Sequence, residues 1–393
     1  MSKPSRLLLL TFYYPPDLSA GSFRAEALTS ALLEESPDLQ VDVLTAEPSR
    51  YGSYTPQAQS QEQHDRLTIK RVSLPRRRSG ALGQAWLFVC FAWQTMRQTR
   101  GRDYDLVLAT SSRLMTAVLG AYLAWRKRAR LYLDIRDIFV ETLDELLRSP
   151  MLRPLIGVFA AVERCAFMRA GRINLVSPGF LPYFQARYPG KCFSLCPNGV
   201  DLEFEEAFKQ SAPANSRPLH ILYAGNIGDG QGLQHLVPEL ALRLAGRAHI
   251  CVVGDGARRQ TLCDELARQG VSNVELFSPV KRTVLRKLYE DADVLLLHLN
   301  DWRAFRRVLP SKLFEYAASG KPILAGVAGY PADFIEAEVA NAAVFRPCDA
   351  EEAVAALSRL KLESVCRKAF VARFARQRIM RELAHDIVAL LRE

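Results

Sequence analysis

Short apolar runs recur along the whole chain, and each is followed by a segment whose apolar residues repeat at helical spacing. The runs begin at residues 7, 41, 67, 106, 131 and 173 in the first half and at residues 221, 250, 274, 294, 323 and 343 in the second. Strands that alternate with helices form parallel sheets covered by helices on both faces. The pattern therefore predicts an α/β protein with one doubly wound sheet in each half.

Chain length and charge suggest the same division. A chain of 393 residues, 49% of them apolar, is too long for one core and long enough for two. We predict a first domain over residues 1–203, a linker at about 203–218 and a second domain over residues 204–366. The final helix, within residues 367–393, is basic like the first domain, so we predict that it crosses back. Two such domains facing each other leave a cleft at the carboxyl ends of their sheets.

The apolar segments are too short or too interrupted for export or membrane insertion. The run Leu7–Leu10 is shorter than the apolar core of an export signal, which needs roughly 7–15 residues. The longest nonpolar stretch, residues 106–125, is interrupted by Arg113 and three polar residues before it. We therefore expect a cytoplasmic protein that is not integral to a membrane.

Metal and nucleic-acid binding are not expected from the residue spacing. Cys192 and Cys196 are close together, but no second Cys or His pair follows at zinc-site spacing, so the eight cysteines are expected to be reduced. Asp291 and Asp293 have D-x-D spacing, yet they directly precede an apolar run. The first 200 residues are basic but contain no recognisable nucleic-acid module. We predict no metal, no cofactor and no nucleic-acid partner.

Glycines cluster at two strand-to-helix corners of the second half. YAGNIGDGQGL, residues 223–233, follows the first strand of that half, and Gly254-Asp255-Gly256 follows the next. Backbone N–H groups of residues 226–232 are candidates for holding an anion, because helix N-termini attract negative charge. Ordinary tight turns would require the same glycines, so both interpretations remain open.

A stronger signal is VLPSKLFEYAASGKPILAG, residues 308–326. Ser311 begins a helix, Lys312 lies in its first turn, and Gly320 ends it. A lysine beside the positive end of a helix indicates a nearby anion. Glu315 lies four residues after Ser311, whereas a capping box needs an acid at the third, so another partner is expected for Glu315.

This segment resembles the sugar-nucleotide signature of retaining glycosyltransferases of family 4, whose GT-B architecture consists of two facing Rossmann-like domains. The resemblance extends over nearly the whole chain and is to the bacterial branch that builds O-antigen, capsule or exopolysaccharide. Other segments agree in order and spacing: FYYPPDLSAGSFRAEAL (12–28), LDIRDIFVE (133–141), CPNGVD (196–201), YAGNIGDGQGL (223–233), VVGDG (252–256) and YEDADVLLL (289–297).

The resemblance implies roles for particular residues. Glu315 corresponds to the family glutamate that binds the donor ribose hydroxyls. Arg136, Asp137 and Lys312 are expected to be catalytic, with Arg136-Asp137 near the reacting sugar and the acceptor. The donor-binding candidates are Gly21, Asn226, Gly228, Gln231, Gly254, Lys281, Arg307, Ser311, Leu313 and Glu315.

Two departures from the family pattern concern charge. Arg307 stands eight residues before Glu315, where the family has the first glutamate of its E-x(7)-E pair. Asn226 and Gln231 stand where the family has an arginine and a lysine that neutralise the diphosphate. We expect other cations, among them Lys281, Arg282, Arg307 and Lys312, to take over this task; the alternative is a degraded pocket.

Residues 71–100 combine aromatic and basic residues in a predicted helix. Arg76, Arg77 and Arg78 precede an apolar stripe, and Arg97 and Arg100 follow it. The stripe consists of Leu82, Trp86, Val89, Trp93 and Met96. This composition suits an interfacial helix on anionic lipid. The alternative is a helix packed on the sheet.

The resemblance implies an enzyme, a hexosyl- or N-acetylhexosaminyltransferase. It would move a sugar with retention from a nucleotide-sugar, expected to be UDP-linked, to a polyprenyl-diphosphate-linked saccharide. We expect it to lie peripherally on the inner face of the cytoplasmic membrane, in contact with anionic lipid. Two alternatives are a sugar-nucleotide epimerase of the same fold and an inactive partner protein that binds the donor.

Overall fold

A computed structural model describes residues 4–48, 56–75, 81–111, 114–146, 153–205 and 218–393. The chain forms two compact units: Met1–Asn198 together with Gln377–Glu393, and Gly199–Arg376. The predicted linker at 203–218 lies largely outside the described residues.

The first unit contains an eight-stranded sheet. Its strands are β1 Arg6–Leu10, β2 Gln40–Ala46, β3 Gln61–His64, β4 Leu67–Val72, β5 Leu106–Ser111, β6 Arg130–Ile135, β7 Arg172–Leu175 and β8 Phe193–Ser194. Their order is β3-β4-β2-β1-β5-β6-β7-β8, and all neighbours pair in parallel except β3 and β4. The strand order therefore changes direction at β1, with β2 on one side of β1 and β5 on the other.

The helices of the first unit connect these strands. They are α1 Ala20–Glu35, α2 Ala81–Gln98, α3 Leu114–Lys127, α4 Phe139–Leu146, α5 Arg153–Arg169 and α6 Leu181–Arg187. A short 3-10 helix covers Pro178–Phe180.

The second unit contains a six-stranded parallel sheet. Its strands are β9 Leu219–Ala224, β10 Ala248–Val253, β11 Val274–Phe277, β12 Val294–His298, β13 Ile323–Gly326 and β14 Ala342–Phe345, in the order β11-β10-β9-β12-β13-β14. Its helices are α7 Leu202–Glu205, α8 Leu233–Arg243, α9 Arg259–Arg268, α10 Arg282–Asp291, α11 Lys312–Ser319, α12 Tyr330–Glu338, α13 Ala350–Leu357 and α14 Lys368–Arg373.

The C-terminal segment forms two helices where the sequence predicts one. The first is α14, which belongs to the second unit; the second is α15, Arg376–Arg392, which belongs to the first unit from Gln377 onwards. Asp386 on α15 accepts a hydrogen bond from the Tyr132 hydroxyl of β6 at 2.6 Å and pairs with Arg172 of β7. The chain therefore crosses back to the first unit, as predicted.

The central strands are buried on both faces, which explains their unbroken apolar runs. Leu7–Leu10 of β1 and Val294–Leu297 of β12 have no exposed surface. A parallel sheet covered by helices on both sides needs apolar residues at every position rather than at alternate ones. The α/β fold class predicted from these runs is confirmed.

Two strands are not predicted by the sequence pattern. β3, with the sequence QEQH, is polar and pairs at the edge of the sheet as the antiparallel neighbour of β4. β8 is only two residues long. Backbone pairing at a sheet edge requires no apolar periodicity, so an apolar pattern cannot reveal either strand.

All eight cysteines are free, as expected. In the part of the chain that the structure describes, no helix combines the length and the apolar character needed to cross a membrane.

Candidate functional site

The second sheet has its switch point between β9 and β12, because the strand order runs from β9 to β10 on one side and continues at β12 on the other. Sheets of this type bind ligands beside the carboxyl ends of the strands at such a point. The connections that start there are residues 225–232 after β9 and residues 299–311 after β12. Five of the nine predicted donor-binding residues of this unit lie in these connections: Asn226, Gly228, Gln231, Arg307 and Ser311.

The two glycine-rich corners of the second unit lie in direct backbone contact. Gly225 N–H donates to Val253 O at 2.9 Å, and Ile227 N–H donates to Asp255 O at 2.9 Å. A Cβ added at Gly254 would lie 1.8 Å from the carbonyl oxygen of Gly225. Since real Cβ atoms do not approach so closely, Gly254 is required by the contact between the two loops. The tight-turn interpretation therefore accounts for this glycine.

Asn226, Gly228 and Gln231 come together within one turn. Asn226 Nδ2 donates to Gln231 Oε1 at 2.6 Å, and Gly228 N–H donates to the same oxygen at 3.3 Å. The N–H groups of Gln231 and Gly232 both donate to Gly228 O. We expected N–H groups of this turn to hold an anion, but these three have acceptors inside the turn.

Lys312 places its amino group at this end of the sheet. Its Nζ lies 3.7 Å from the centroid of the Tyr223 ring, and the Tyr223 hydroxyl donates to Asn226 O at 2.6 Å. A Cβ at Gly225 would lie 2.6 Å from this Nζ, so the glycine leaves the space that the ammonium group occupies. Gly225 therefore has a second role beside the loop contact.

The ammonium group of Lys312 is in an unusual electrostatic state. Lys312 as a whole is half-buried, but its Nζ is buried and has no hydrogen-bond partner among the residues that the structure describes. Burial lowers the pKa of Lys312 to about 7, although the charge of Glu315 opposes this shift. The aromatic face compensates only part of the lost hydration, since such contacts contribute roughly 0.5–2 kcal/mol. An anion that reached this point would gain a strong interaction.

Glu315 lies one helical turn after Lys312 on α11 and contacts α10. Its Oε2 accepts a hydrogen bond from the Tyr289 hydroxyl at 3.1 Å, and its Oε1 lies 3.7 Å from Arg282 Nη2. Burial raises the pKa of Glu315, while the charge of Arg282 offsets part of the rise. The partners expected for Glu315 are thus Tyr289 and Arg282, both on α10. A carboxylate held in this way keeps acceptor sites for hydroxyl groups.

The remaining predicted residues of the second unit differ in accessibility. Ser311 is half-buried at the N-cap of α11, whereas Leu313 is fully buried and its N–H donates to Pro310 O at 3.1 Å. Lys281 is exposed at the N-cap of α10. Arg307 is half-buried and follows the 3-10 helix Arg303–Arg306. Leu313 therefore serves the core, because neither its side chain nor its N–H reaches outward.

Three predicted residues lie in the first unit. Gly21 is in the first turn of α1, whose N-cap Ser19 accepts a hydrogen bond from Ser22 N–H. A Cβ at Gly21 would lie 3.1 Å from Arg136 Nη1, so these two residues are neighbours. Asp137, next to Arg136 after β6, is exposed. Gly21 and the Arg136-Asp137 pair therefore share one end of the first sheet.

A buried ion pair supports the same end of the first sheet. Arg24 Nη2 lies 2.9 Å from Asp134 Oδ1, and neither side chain is appreciably exposed. Arg24 also donates to the carbonyl oxygens of Pro197 and Cys196. Burial disfavours the charged carboxylate, but Arg24, together with Arg136 and Asn174, outweighs this effect and keeps the pKa of Asp134 below its usual value. The residues Arg24 and Asp134 were not singled out from the sequence, because the pair joins positions far apart in the chain.

His298 has a structural role. The ring is fully buried, its Nδ1 lies 2.6 Å from Gln231 O, and its Nε2 accepts a hydrogen bond from Cys348 N–H at 2.9 Å. Nδ1 must therefore carry the proton. Burial lowers the pKa of His298 to about 4, so the ring is neutral at physiological pH. His298 therefore connects the turn after β9 to the segment after β14 through hydrogen bonds.

Asp293 of the D-x-D segment also has a structural contact. Its Oδ2 accepts a hydrogen bond from His220 N–H at 2.8 Å, and its own N–H donates to His220 O at 2.9 Å. The described residues contain no group of three or more His, Cys, Asp or Glu side chains arranged to hold a metal ion.

The apolar stripe of α2 is largely exposed. Trp86, Val89 and Trp93 are 56%, 54% and 57% exposed, whereas Leu87 and Phe91 on the other face are buried. Packing on the sheet thus explains the apolar residues on the buried face of α2. It does not explain the apolar residues of the exposed stripe. The side chain of Leu82 and residues Arg76 to Arg78 lie outside the described residues.

A further exposed aromatic lies on α3. Trp125 is 60% exposed, and the guanidinium of Arg169 on α5 lies 5.7 Å from the centroid of its ring. On α2, the guanidinium of Arg97 lies 5.8 Å from the ring of Trp93. Exposed tryptophans with arginines against them therefore occur on two helices of the first unit.

The fold is the GT-B fold of glycosyltransferases, an architecture in which two Rossmann-like domains occur in one chain. Residues 218–362, which contain β9 to β14, match the family model described as "Glycosyl transferases group 1". No curated protein sequence matches the chain.

Solved structures resemble this chain over nearly its full length at low sequence identity. Sucrose-phosphate synthase from Thermosynechococcus elongatus is 16% identical, with a TM-score of 0.69 over 98% of this chain and 94% of that one. HepE from Anabaena, solved in complex with UDP-glucose, is 15% identical, with a TM-score of 0.65 over 98% and 99%. WaaG, a glycosyltransferase involved in lipopolysaccharide biosynthesis, is 16% identical, with a TM-score of 0.57 over 96% and 95%.

Proposed function

We propose that the protein is a retaining glycosyltransferase of family 4 that takes its sugar, a hexosyl or N-acetylhexosaminyl group, from a UDP-sugar. The observation that carries the proposal is the buried Lys312 Nζ, which has no hydrogen-bond partner among the described residues and lies one turn from Glu315. An anion stabilises the charged form of a buried amine, and a carboxylate is suited to two ribose hydroxyls. The UDP-glucose complex of HepE, which has the same fold, supports the choice of donor.

The proposed chemistry depends on charge that develops on the leaving group. When the bond between the sugar and the diphosphate breaks, the diphosphate gains negative charge and the sugar becomes oxocarbenium-like. A cation already held at the phosphates stabilises this transition state without reorganising, and Lys312 supplies it. We assign Glu315 to the ribose, and Arg136 and Asp137 to the reacting sugar and the acceptor. This enzyme needs no metal for the step.

Donor binding and turnover by purified variants test the proposal. We expect Lys312→Met and Glu315→Gln each to weaken UDP-glucose binding at least tenfold, because each removes a charged hydrogen-bonding group from the ligand. Lys287→Met, which removes an exposed lysine from α10, is the matched control and should bind normally. Equal affinity of all three variants and the wild type would contradict the assignment.

Product analysis separates the proposed transferase from its alternatives. A transferase releases UDP and moves the sugar to a polyprenyl-diphosphate-linked saccharide. An epimerase changes the sugar while it stays on UDP. An inactive partner protein, favoured by the mutually bonded Asn226 and Gln231, binds the donor without turnover. Incubating the protein with a panel of UDP-sugars and lipid-linked acceptors distinguishes these three results.

We further propose that the first unit binds an anionic membrane, where the lipid-linked acceptor resides, and that the protein is peripheral to the inner face of the cytoplasmic membrane. The exposed Trp86 and Trp93 of α2, with Arg97 against the second ring, support this proposal. Tryptophans enter the headgroup region while arginines pair with anionic lipid.

Vesicle cosedimentation tests membrane binding. Vesicles containing phosphatidylglycerol should retain the protein at low salt, and vesicles of phosphatidylcholine alone should not. The double variant Trp86→Ser/Trp93→Ser should bind roughly tenfold more weakly or worse, because each buried aromatic contributes about 1.5–3 kcal/mol. Equal binding of the wild type and the double variant would refute the role of α2.

A further inference from the structure

Five charged side chains surround one point beside α11, and we call them the Arg282 cluster: Asp201, Glu203, Arg282, Glu315 and Arg376. Arg282 Nη2 lies 2.6 Å from Asp201 Oδ2, and Arg282 Nε lies 2.6 Å from Glu203 Oε2. The same Nη2 lies 3.7 Å from Glu315 Oε1. One guanidinium is thus shared unequally among three carboxylates.

The unequal distances determine how Arg282 acts on Glu315. A separation of 3.7 Å is too long for a hydrogen bond, so Arg282 gives Glu315 electrostatic stabilisation without occupying its Oε1. Asp201 holds the guanidinium in this position from one side, and the Phe204 ring, 4.9 Å from Arg282 Cζ, supports it. Tyr289 holds the other oxygen of Glu315. The carboxylate is fixed while one of its oxygens stays outside hydrogen-bond reach of Arg282.

Asp201 itself is anchored where the chain enters and leaves the second unit. That unit begins at Gly199 and ends at Arg376, and the two segments pair through Val200 and Ala375. Asp201 Oδ1 lies 2.7 Å from Arg376 Nε, so its two oxygens bind Arg376 and Arg282. The paired segments are thereby connected through Arg282 to α11, which carries Glu315.

We propose that Arg282 is a positioning residue for Glu315, and that Asp201 controls it by holding the guanidinium away from the carboxylate. The inference rests on the proposed function, because Glu315 must contact the nucleotide. When Asp201 loses its charge, Arg282 closes onto Glu315 and occupies the oxygen that the ribose would use. The two paired segments therefore influence donor affinity without touching the donor.

The first test needs no ligand. The titration of Glu315 is followed by NMR of protein labelled at the glutamate side-chain carboxyl carbon, with Glu315→Gln used to assign the signal. We expect Asp201→Asn to lower the pKa of Glu315, because a neighbouring negative charge is lost and Arg282 moves closer, and Arg282→Gln to raise it. In the Arg282→Gln background only the direct loss of the Asp201 charge remains, so Asp201→Asn should lower the pKa of Glu315 by less than in the wild-type background. Arg282→Lys, which keeps the charge, should restore most of the wild-type titration.

The second test measures UDP-glucose affinity by calorimetry in the same variants. We expect Asp201→Asn to weaken binding at least about threefold in the wild-type background and less than twofold in the Arg282→Gln background, which is the signature of coupled residues. Glu203→Gln is the matched control, because Glu203 binds the same guanidinium but is 60% exposed, and exposed pairs contribute little. Urea unfolding of every variant shows whether the folded fraction has changed.

The outcomes separate this inference from the proposed function. If the wild type binds neither UDP-glucose nor UDP, the proposed function and the positioning role are both rejected. If UDP-glucose binds but Asp201→Asn has no effect, or has the same effect with and without Arg282, the positioning role alone is rejected. If in both measurements the effect of Asp201→Asn is smaller without Arg282 than with it, the positioning role is established.

Discussion

Donor binding should take up a proton, because the ammonium of Lys312 is buried. Its pKa lies at about 7, so in the protein without a ligand only about one-tenth of Lys312 is charged at pH 8 and about nine-tenths at pH 6. A diphosphate favours the charged form and raises the pKa of this lysine. Binding at pH 8 must therefore ionise a largely neutral amine, which costs about 1.4 kcal/mol.

This cost predicts a tenfold effect of pH on affinity. UDP-glucose should bind about tenfold more weakly at pH 8 than at pH 6, and uptake should rise from about 0.1 to about 0.9 proton per site. UDP-glucose suits the experiment because its diphosphate diester does not titrate in this range. Calorimetry at both pH values, in two buffers of different ionisation enthalpy and at constant ionic strength, measures affinity and proton uptake together.

Two variants isolate the contribution of Lys312. Lys312→Met should bind weakly with no dependence on pH, because the titrating group is gone. Glu315→Gln should bind weakly and keep a pH dependence, because Lys312 remains, but the dependence should lie at lower pH, because the charge of Glu315 no longer raises the pKa of Lys312. Wild-type binding that is constant between pH 6 and pH 8 without proton uptake would refute the reasoning, as would an unchanged slope in Lys312→Met.

Three further predictions concern stability. Without nucleotide, Lys312→Met should be more stable to urea than the wild type by at least about 1 kcal/mol at pH 6, because the lowered pKa of Lys312 means that its charged form destabilises the folded state. This difference in stability should shrink as the pH rises from 7 towards 10.5, because Lys312 is then increasingly neutral in the folded protein. Gly254→Ala should cost about 1–3 kcal/mol or more in urea unfolding, because the added Cβ would lie 1.8 Å from a backbone oxygen. Gly157→Ala inside α5, where no described atom lies within 4 Å of the added Cβ, should instead stabilise the protein by about 0.5–1 kcal/mol. Arg24→Met should cost about 3–5 kcal/mol by the same measurement, because it leaves Asp134 buried and unpaired; a loss below 1 kcal/mol would contradict this.

The candidate site was only partly predictable from the sequence. Lys312 and Glu315 stand out because a lysine in a first helical turn and an acid at the wrong capping distance are local anomalies. Tyr223 and Arg282, which contact them, carry no such local anomaly, and the sequence suggested Arg282 only as one of several cations for the diphosphate. Each is an ordinary residue at its own position, and each acquires its role by contact with a residue 89 or 33 positions away.

The amino-acid sequence by itself determined the alternation of strands and helices, because the burial of each element imprints a local periodicity on its own residues. It also determined the helix at residues 312–319, because its ends are marked by a cap and a glycine. Only the tertiary structure decided which face of α2 stays exposed, where the glycine loops touch and which carboxylates share Arg282. Those contacts depend on the order of strands in the sheets, which brings distant residues together and leaves no periodic trace in either segment.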